Sequence, residues 1–275
     1  ASTHSYILFF TTVGKVYWIK VHELPQAGRA ARGRAIVNLL HLEEGEKISA
    51  FLPVREFQEG RYVVFATKGG AVKKTELLAY SNPRSTGIRA IGLETGDEVI
   101  GVRLTDGEQE LLLSTREGQS IRFKENQVRP TGRGTYGVCG ISLDGEDRVV
   151  SMEMLGQGAS LLTVAEKGYG KRTAMDEYRL QSRGGKGIIT MKTTEKTGQV
   201  IGVHQVTDDD QLMMVTDKGK IIRLRIKDIS VIGRNTQGVR LIEMEDGERV
   251  VAVARLAEKE DDDEEIGQNG QDQEE

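Results

Sequence analysis

In the sequence from Glu110 to Phe123, ELLLSTREGQSIRF, two short apolar runs flank a Thr-x-x-Gly turn. Runs of this length that are bounded by turn residues are typical of β-strands. Two further apolar runs follow, Val138–Leu143 and Val149–Met154, and Asp-Gly-Glu-Asp at residues 144–147 joins them. Because Asp-Gly between apolar runs is a strong hairpin signal, we expect these two runs to pair with each other.

The same arrangement recurs with a period of about fifty residues, which is typical of propellers and related repeat proteins. The Thr-x-x-Gly turn ends at Gly14, Gly70, Gly118, Gly168 and Gly219, with Ala165 replacing threonine before Gly168. A small residue closes a basic, glycine-bearing loop at Ala35, Gly87, Gly137, Gly187 and Gly238. A short apolar strand begins at Ile48, Val99, Val149, Val200 and Val250. Since three separate marks stay in step, we infer an internal repeat.

Short strands at this period predict an all-β, propeller-like array in which each blade buries its faces against its neighbours. No amphipathic run of helical period lies between the strands, so a parallel α/β fold is disfavoured. We predict five four-stranded blades, over residues of about 6–54, 61–105, 109–155, 159–206 and 210–256. Residues 1–257 would then form one domain, followed by a tail at 258–275.

The overall charge of −4 conceals two regions of opposite sign. The segment from Glu258 to Glu275 has ten acidic residues and one lysine, which leaves a charge of +5 on the rest of the chain. A block of like charge with few apolar residues is typical of disorder, so we expect a disordered tail. The tail either keeps the protein soluble or competes with nucleic acid for a basic surface.

Basic residues recur at fixed places in the repeat. Four residues after the turn glycine stand Lys74, Arg122, Arg172 and Arg223, and two residues further on stand Lys20, Lys124 and Arg225. The loops add Arg29, Arg32, Arg34, Arg84, Arg89, Arg129, Arg133, Arg179, Arg183, Lys186, Arg234 and Arg240. Cations repeated blade after blade predict a continuous rim that binds a polyanion.

The kind of polyanion follows from what accompanies the cations. Aromatic residues make up only 5% of the chain and are not interleaved with the basic positions, which argues against stacking on single strands. No basic helix is available to a major groove, so sequence-specific reading is disfavoured. We therefore predict binding to the backbone of double-stranded DNA through phosphate contacts.

Other functions lack a supporting pattern. Cys139 is the only cysteine, and the four histidines have no metal-ligand spacing, so we predict no metal site and no disulfide. The Gly-x-Gly-x-x-Gly match at residues 132–137 opens no helix, which makes a dinucleotide site improbable. We expect no catalytic residue and no cofactor in this region. No apolar run approaches the ~20 residues of a membrane span, and we predict a cytoplasmic protein without membrane contact.

Three strings resemble the C-terminal domain of DNA gyrase A: Gly28–Leu40, Gly168–Thr173 and Val231–Val239. The resemblance extends from Tyr6 to Leu256 and includes the acidic tail. It implies a β-pinwheel, a propeller-like disc whose blades exchange a strand, with DNA wrapped around its basic perimeter. It also implies a bacterial, chromosome-associated type IIA topoisomerase, with ATP hydrolysis in gyrase B, DNA cleavage elsewhere in gyrase A, and an A2B2 assembly of the two.

The family's seven-residue box, Gln-Arg-Arg-Gly-Gly-Lys-Gly, resembles QSRGGKG at residues 181–187, with Ser182 in place of arginine. The resemblance gives a DNA-binding role to Gln181, Arg183, Gly184, Gly185, Lys186 and Gly187. Because the box normally lies in the first of six blades and here falls in the fourth of five, we expect a further blade upstream. We also expect that replacing Arg183 and Lys186 by alanine flattens the salt dependence of DNA binding by roughly two units.

Two alternatives stay open at this point. One is the corresponding domain of topoisomerase IV, which the resemblance describes as binding and bending DNA with little wrapping. The other is a protein-interaction propeller of the chromosome-condensation-regulator type, which also has repeats of about fifty residues. Binding to such a partner would respond little to salt, whereas phosphate contacts respond steeply.

Overall fold

The computed structural model describes residues 2–26, 35–82, 84–156 and 160–256, in which β-strands and short 3-10 helices alternate. The first strand of each unit is β1 (Tyr6–Thr11), β4 (Tyr62–Thr67), β8 (Glu110–Thr115), β12 (Ser160–Ala165) or β16 (Gln211–Thr216). The second is β2 (Lys15–Lys20), β5 (Ala71–Glu76), β9 (Gln119–Lys124), β13 (Tyr169–Ala174) or β17 (Ile221–Arg225).

The remaining strands are of two kinds. Long strands end the units: β3 (Ile48–Val54), β7 (Val99–Thr105), β11 (Val149–Leu155), β15 (Val200–Val206) and β19 (Val250–Leu256). Among the described residues, two-residue strands precede them in the second to fifth units: β6 (Ile88–Arg89), β10 (Val138–Cys139), β14 (Ile188–Ile189) and β18 (Val239–Arg240). The 3-10 helices are Val21–Glu23, Ile36–Asn38, Leu77–Tyr80, Glu125–Gln127, Met175–Glu177 and Ile226–Asp228. None of these short helices has the length or apolarity to cross a bilayer.

The Thr-x-x-Gly turn joins the first and second strands for a clear physical reason. In the third unit, the Thr115 hydroxyl accepts a hydrogen bond from the Gln119 amide at 3.2 Å, and Gly118 has φ of +83°. A Cβ atom at Gly118 would lie 2.2 Å from the carbonyl oxygen of Met191, which belongs to the next unit. Glycine is therefore required both by the left-handed backbone and by the close approach of the neighbouring blade.

Each short strand pairs with the preceding blade instead of its own. Val138 of β10 is opposite Val72 of β5, and Ile188 of β14 is opposite Ser120 of β9. The hairpin predicted between Val138–Leu143 and Val149–Met154 is therefore wrong, because β10 and β11 belong to different sheets. The strand-exchanged pinwheel is confirmed, since four sheets complete themselves with a strand from the following unit.

The fifth sheet has three strands among the described residues, in the order β17-β16-β19. Its second strand, β17, lies at the edge of the sheet, at the place where the other four sheets carry a donated strand. The fifth unit does contain a fourth strand, β18, but that strand completes the fourth sheet, and within the described ranges no later unit donates a strand to the fifth. The tail at 258–275 lies outside the described residues.

The sheets are arranged around a common axis. Neighbouring long strands pack side by side, and the Ser49 and Ser151 hydroxyls donate to the carbonyl oxygens of Val99 and Val203 in the next blade, at 2.7 and 2.6 Å. The core lies between blades, as where the rings of Phe10 and Phe65 meet edge to face at 5.4 Å. Because a long strand forms the inner edge of each complete sheet, the donated strand forms its outer edge.

Candidate nucleic-acid interface

The basic loops lie at the outer edge of the disc, each one held on the blade that precedes it. The Thr131 amide donates to the carbonyl of Lys74 in β5 at 2.9 Å, and after residues 131–137 the chain returns to pair Val138 with Val72. We call residues 131–137 the third loop, and by the same pattern 181–187 the fourth loop and 232–238 the fifth loop. Each loop projects from the perimeter and is fixed at both ends.

Main-chain hydrogen bonds connect each loop to the segment that follows the short outer strand of the preceding unit. The Gly92 amide donates to Thr135 in the third loop, Ser142 donates to Gly185 in the fourth, and Lys192 donates to Thr236 in the fifth, each at 2.9 Å. Consecutive loops therefore form one continuous edge, which we call the rim together with the short outer strands. Within the described residues, the rim is unbroken from the second unit to the fifth.

Three of the predicted strand cations lie between blades and not on the rim surface. Lys74 is 4% exposed and pairs with Glu125 at 3.5 Å, and Arg172 is 8% exposed and donates to the Ile226 carbonyl at 3.1 Å. Arg122 pairs with Glu110 at 2.6 Å and donates to the Met175 carbonyl at 3.2 Å. Each of these side chains reaches the 3-10 helix of the following unit and holds two blades together.

The other predicted cations are mostly exposed. Arg84, Arg89, Lys124, Arg129, Arg179, Arg223, Arg225 and Arg240 are exposed, whereas Arg133 and Arg234 are half-buried. Arg223 has no following blade to hold among the described residues, and its Nε donates to the Gln211 side chain. The Arg225 guanidinium pairs with Asp228 at 2.8 Å. Arg29, Arg32 and Arg34 lie outside the described residues.

The fourth loop uses its arginine as a clamp. Arg183 donates from Nε to the Gln127 carbonyl at 3.0 Å and from Nη1 to the Cys139 carbonyl at 2.9 Å, and its amide donates to the Gln127 side chain at 2.9 Å. Gly187 has φ of +79°, and a Cβ atom there would lie 2.4 Å from the Ser120 carbonyl oxygen. The loop is thus closely fitted to the third blade, and its arginine is largely satisfied by protein carbonyls.

The remaining cation of the fourth loop is Lys186, which pairs with Asp144 at 2.8 Å. Both side chains are more than two thirds exposed, so the pair adds little stability and can open to admit another anion. The Gln181 amide donates to the Arg122 carbonyl at 2.8 Å and fixes the start of the loop. Gly184 has φ of +81° and approaches Cys139, while Gly185 is exposed.

The third and fifth loops are supported differently, by lysines that sequence reasoning missed. Lys73 and Lys171 point into these loops from β5 and β13 and are 1% and 0% exposed. Burial, together with the nearby Arg133 guanidinium, lowers the pKa of Lys73 to about 7. Burial also lowers the pKa of Lys171, to about 8, although Glu177 opposes the change. The sequence did contain a signal for these lysines, because they occupy a strand position that is isoleucine in the third and fifth units.

Both faces of the disc carry exposed carboxylates, beside which stand exposed cations such as Lys167, Lys218 and Arg249. The face with the Thr-x-x-Gly turns also exposes carboxylates just before the long strands, at Glu43, Glu94, Asp144, Glu146, Glu245 and Asp246. The opposite face, where one unit leads to the next, exposes Glu56, Glu59, Asp106, Glu108, Asp208 and Asp209. These carboxylates make the faces less favourable to a polyanion than the rim.

The fold and the site together define a class: a strand-exchanged propeller with a basic outer edge. The model of a family described as "DNA gyrase C-terminal domain, beta-propeller" matches residues 5–55, 61–106, 109–155, 159–207 and 210–257. DNA gyrase A of Salmonella typhimurium strain LT2 is 54% identical over 265 residues, and that of Escherichia coli K12 is 51% identical over 262. The alignments cover 96% and 95% of this chain and 30% of each relative. The chain belongs to the DNA gyrase C-terminal domain family.

Solved structures agree with this assignment. The C-terminal domain of DNA topoisomerase IV superposes with a TM-score of 0.87 and 29% identity, over 93% of this chain and 80% of that one. A DNA gyrase A C-terminal domain superposes with a TM-score of 0.80 and 25% identity, over 93% and 84%. The chain therefore spans most of these isolated domains but less than a third of the gyrase proteins that it matches.

Proposed function

We propose that this chain binds double-stranded DNA along its rim, without sequence preference, and bends it around the disc. The observation that carries the proposal is the continuity of the rim, in which each loop is joined by a main-chain hydrogen bond to the segment after the preceding short strand. Carboxylates on both faces make them less favourable to a polyanion than this edge. Because the cations project from irregular loops, they meet phosphates and do not enter a groove as a helix would.

The contacts that we propose are the exposed cations of the rim and two half-buried ones, Arg133 and Arg234. The exposed cations are Arg84, Arg89, Lys124, Arg129, Arg179, Lys186, Arg225 and Arg240. Gly184, Gly185 and Gly187 let the fourth loop approach the backbone of the nucleic acid closely. Lys74, Arg122 and Arg172 are left out of the interface, since their side chains are engaged between blades. Their role is to fix the angle between neighbouring blades, and through it the curvature of the rim.

Family membership supports a finer proposal. DNA wrapped on the rim would present a segment for strand passage by a complete gyrase, in which this chain forms part of gyrase A and assembles with gyrase B. ATP hydrolysis and DNA cleavage would occur outside this chain, in the cytoplasm of a bacterium. The domain would then support negative supercoiling without catalysing any step itself.

A second candidate is the topoisomerase IV type of domain, which binds and bends DNA with little wrapping. The similarity to the C-terminal domain of DNA topoisomerase IV favours keeping it. The two candidates share the rim and differ in how far DNA follows it. The third possibility is a protein-interaction propeller, and the cationic edge does not favour it.

The test is to ligate nicked circular DNA in the presence of the protein and to measure the linking number. A positive shift supports wrapping. Salt-sensitive binding without a shift supports the topoisomerase IV type. Binding that does not respond to salt contradicts both DNA-binding candidates and supports the protein-interaction alternative.

A matched pair of triple variants tests the rim itself. The rim variant is Arg84→Gln, Arg129→Gln and Arg179→Gln, and the control is Arg55→Gln, Arg61→Gln and Arg249→Gln, three exposed arginines on the faces. Both remove the same charge. We expect the rim variant to flatten the log–log salt dependence by about 2.7 units, at about 0.9 per phosphate contact, and the control to change it little. Equal effects would show that only net charge matters.

A further inference from the structure

The third position after each turn glycine is occupied by two kinds of residue. It is Tyr17, Ile121 or Ile222 in three units and Lys73 or Lys171 in the other two. Both lysines are almost fully buried, and neither forms an ion pair with any described residue. Burying a charged group without a counter-ion is costly unless polar groups replace the lost water. The isoleucines show that the blade accepts an apolar residue here, so folding alone does not explain the lysines.

Main-chain carbonyls of the rim loops replace that water. The Lys73 ammonium donates to the carbonyls of Arg133, in the third loop, and Ala90, both at 2.8 Å. The Lys171 ammonium donates to the carbonyl of Gly233 at 2.7 Å, to that of Arg234, and to the Thr236 hydroxyl at 3.2 Å. In both loops, one acceptor is the carbonyl of the loop's own arginine.

We propose that Lys73 is a positioning residue, which holds the third loop from inside so that Arg133 projects from the rim toward DNA. Lys171 holds the fifth loop in the same way, but the Arg234 guanidinium there also donates to the Ile189 carbonyl at 3.0 Å. The proposal rests on the proposed function, because it assigns a purpose to the position of one rim cation. Holding the carbonyl of an arginine fixes its Cα atom and the direction in which its side chain leaves the main chain. Like charge adds to the effect, since an ammonium beneath the loop repels the guanidinium outward.

The arginine of the third loop is free to act in this way. Among the described residues, none forms an ion pair or a side-chain hydrogen bond with the Arg133 guanidinium. The fourth loop offers the contrast, because Ile121 lies beneath it and Arg183 turns back to donate to carbonyls of the third blade. Between these two loops, a lysine below accompanies a free arginine above, and its absence accompanies a clamped one. The fifth loop has both a lysine below and a donation from Arg234 to the Ile189 carbonyl.

A double-mutant cycle tests the proposal with the whole chain. The variants are Lys73→Ile, Arg133→Ala and the pair together, with DNA affinity measured by fluorescence anisotropy on a blunt duplex at fixed low salt. We expect each single variant to weaken binding by roughly five-fold, as for the loss of one phosphate contact at low salt. We expect the double variant to be no weaker than Arg133→Ala, because Lys73 acts through Arg133.

The matched control combines a substitution beneath the third loop with a substitution in the fifth loop. Lys73→Ile combined with Arg234→Ala should weaken binding by the product of the single effects, since the two sites lie on different blades and share no partner. Ile121→Val changes the same strand position in the third blade and should leave the affinity unchanged. If Lys73 served fold stability alone, both double variants would weaken binding by the product of their single effects. That result would overturn the proposal.

Two further outcomes are decisive. If Arg133→Ala weakens binding and Lys73→Ile does not, the positioning role is overturned while the rim proposal stands. If Arg133→Ala has no effect, the positioning role is overturned at this loop, and the triple rim variant decides separately whether the proposed function survives. Should Lys73→Ile fail to fold, the cycle of Lys73→Met with Arg133→Ala gives the same test at the third loop.

Discussion

The third and fourth loops occupy the same place on successive blades and are held there by different means. Beneath the third loop, the Lys73 ammonium satisfies main-chain carbonyls, and Arg133 above it has no described side-chain partner. Beneath the fourth loop, Ile121 offers only an apolar contact, and Arg183 itself reaches carbonyls on the neighbouring blade. In the third loop the donor to main-chain carbonyls is a lysine from below, and in the fourth it is the loop's own arginine. The fifth loop has both kinds of donor, Lys171 and Arg234.

The difference shows that the number of cations in a loop does not measure the charge available to DNA. The fourth loop contains the fuller basic motif, yet one of its cations is used as a clamp and the other is paired with Asp144. The third loop has a single arginine that projects freely. We therefore expect the third loop to contribute at least as much to binding as the fourth.

The largest effect is expected on stability, when the isoleucine beneath the fourth loop is replaced by a lysine like the one beneath the third. Ile121→Lys would bury an ammonium group where the loop carbonyls are not arranged to receive it. We expect the free energy of unfolding to fall by about 2–4 kcal/mol, measured by urea denaturation. Ile121→Val, the control, should cost about 0.5–1.5 kcal/mol. Full stability of Ile121→Lys would mean that the two loop types interconvert and that the comparison has no structural basis.

A smaller effect separates the clamp from the phosphate contacts. We expect Lys186→Ala and Arg133→Ala each to flatten the salt dependence of DNA binding by about 0.9 units. Arg183→Ala should leave that dependence nearly unchanged and instead lower the free energy of unfolding by about 1–2 kcal/mol, because it removes hydrogen bonds to carbonyls. The double variant of Arg183 and Lys186 should then change the salt dependence by about one unit, half the value that the sequence predicts. Equal slopes for Arg183→Ala and Lys186→Ala would place Arg183 on the DNA after all.

The smallest effect concerns pH. The pKa of Lys73 is lowered to about 7, mainly by burial, and the groups that face its ammonium are Arg133 and the Tyr80 hydroxyl, which donates to the same Ala90 carbonyl. Above pH 7, the unfolded chain keeps a proton on this lysine that the folded chain loses. Stability should therefore rise with pH, by about 1 kcal/mol between pH 7 and pH 8.

The corresponding measurement is urea denaturation at several pH values. Lys73→Ile should flatten the rise, and Lys171→Ile should flatten it less and at higher pH, because the pKa of Lys171 is lowered only to about 8. Ile121→Val should follow the unsubstituted protein. A stability curve that Lys73→Ile leaves unaltered would indicate that the lysine stays charged through this range.

Much of the fold was predictable from residue patterns, because the turn glycines, the loop-closing residues and the long strands keep one period. The partner of each short strand was not. Val138 and Cys139 have an apolar pattern that fits either their own blade or the preceding one, and only the resemblance indicated exchange. The Asp-Gly turn at residues 144–145 is real, with Gly145 at φ of +59°, but it connects two sheets.

The site was harder to predict, because the identity of a basic residue does not reveal whether its side chain points to the surface of the rim or between two blades. Lys74 and Lys124 both follow the repeat pattern, yet one lies beneath the 3-10 helix of the next unit and the other at an exposed strand end. The long-range contact that separates them has no signature within either strand. Lys73 was missed for the opposite reason, since a lysine inside a strand is usually taken as a solvated residue.

Because strands are donated in one direction along the chain, the two ends of the disc differ in their resistance to mechanical load. Every complete sheet depends on the following unit for its outer strand, and within the described ranges no unit depends in this way on the one before it. Pulling away the fifth unit would strip β18 from the fourth sheet and leave β13 as a bare edge, so damage would spread toward the N-terminal side one blade at a time. Peeling from the other end would leave each remaining sheet intact. A tensile load is therefore resisted unequally from the two ends, although the repeats themselves are nearly alike.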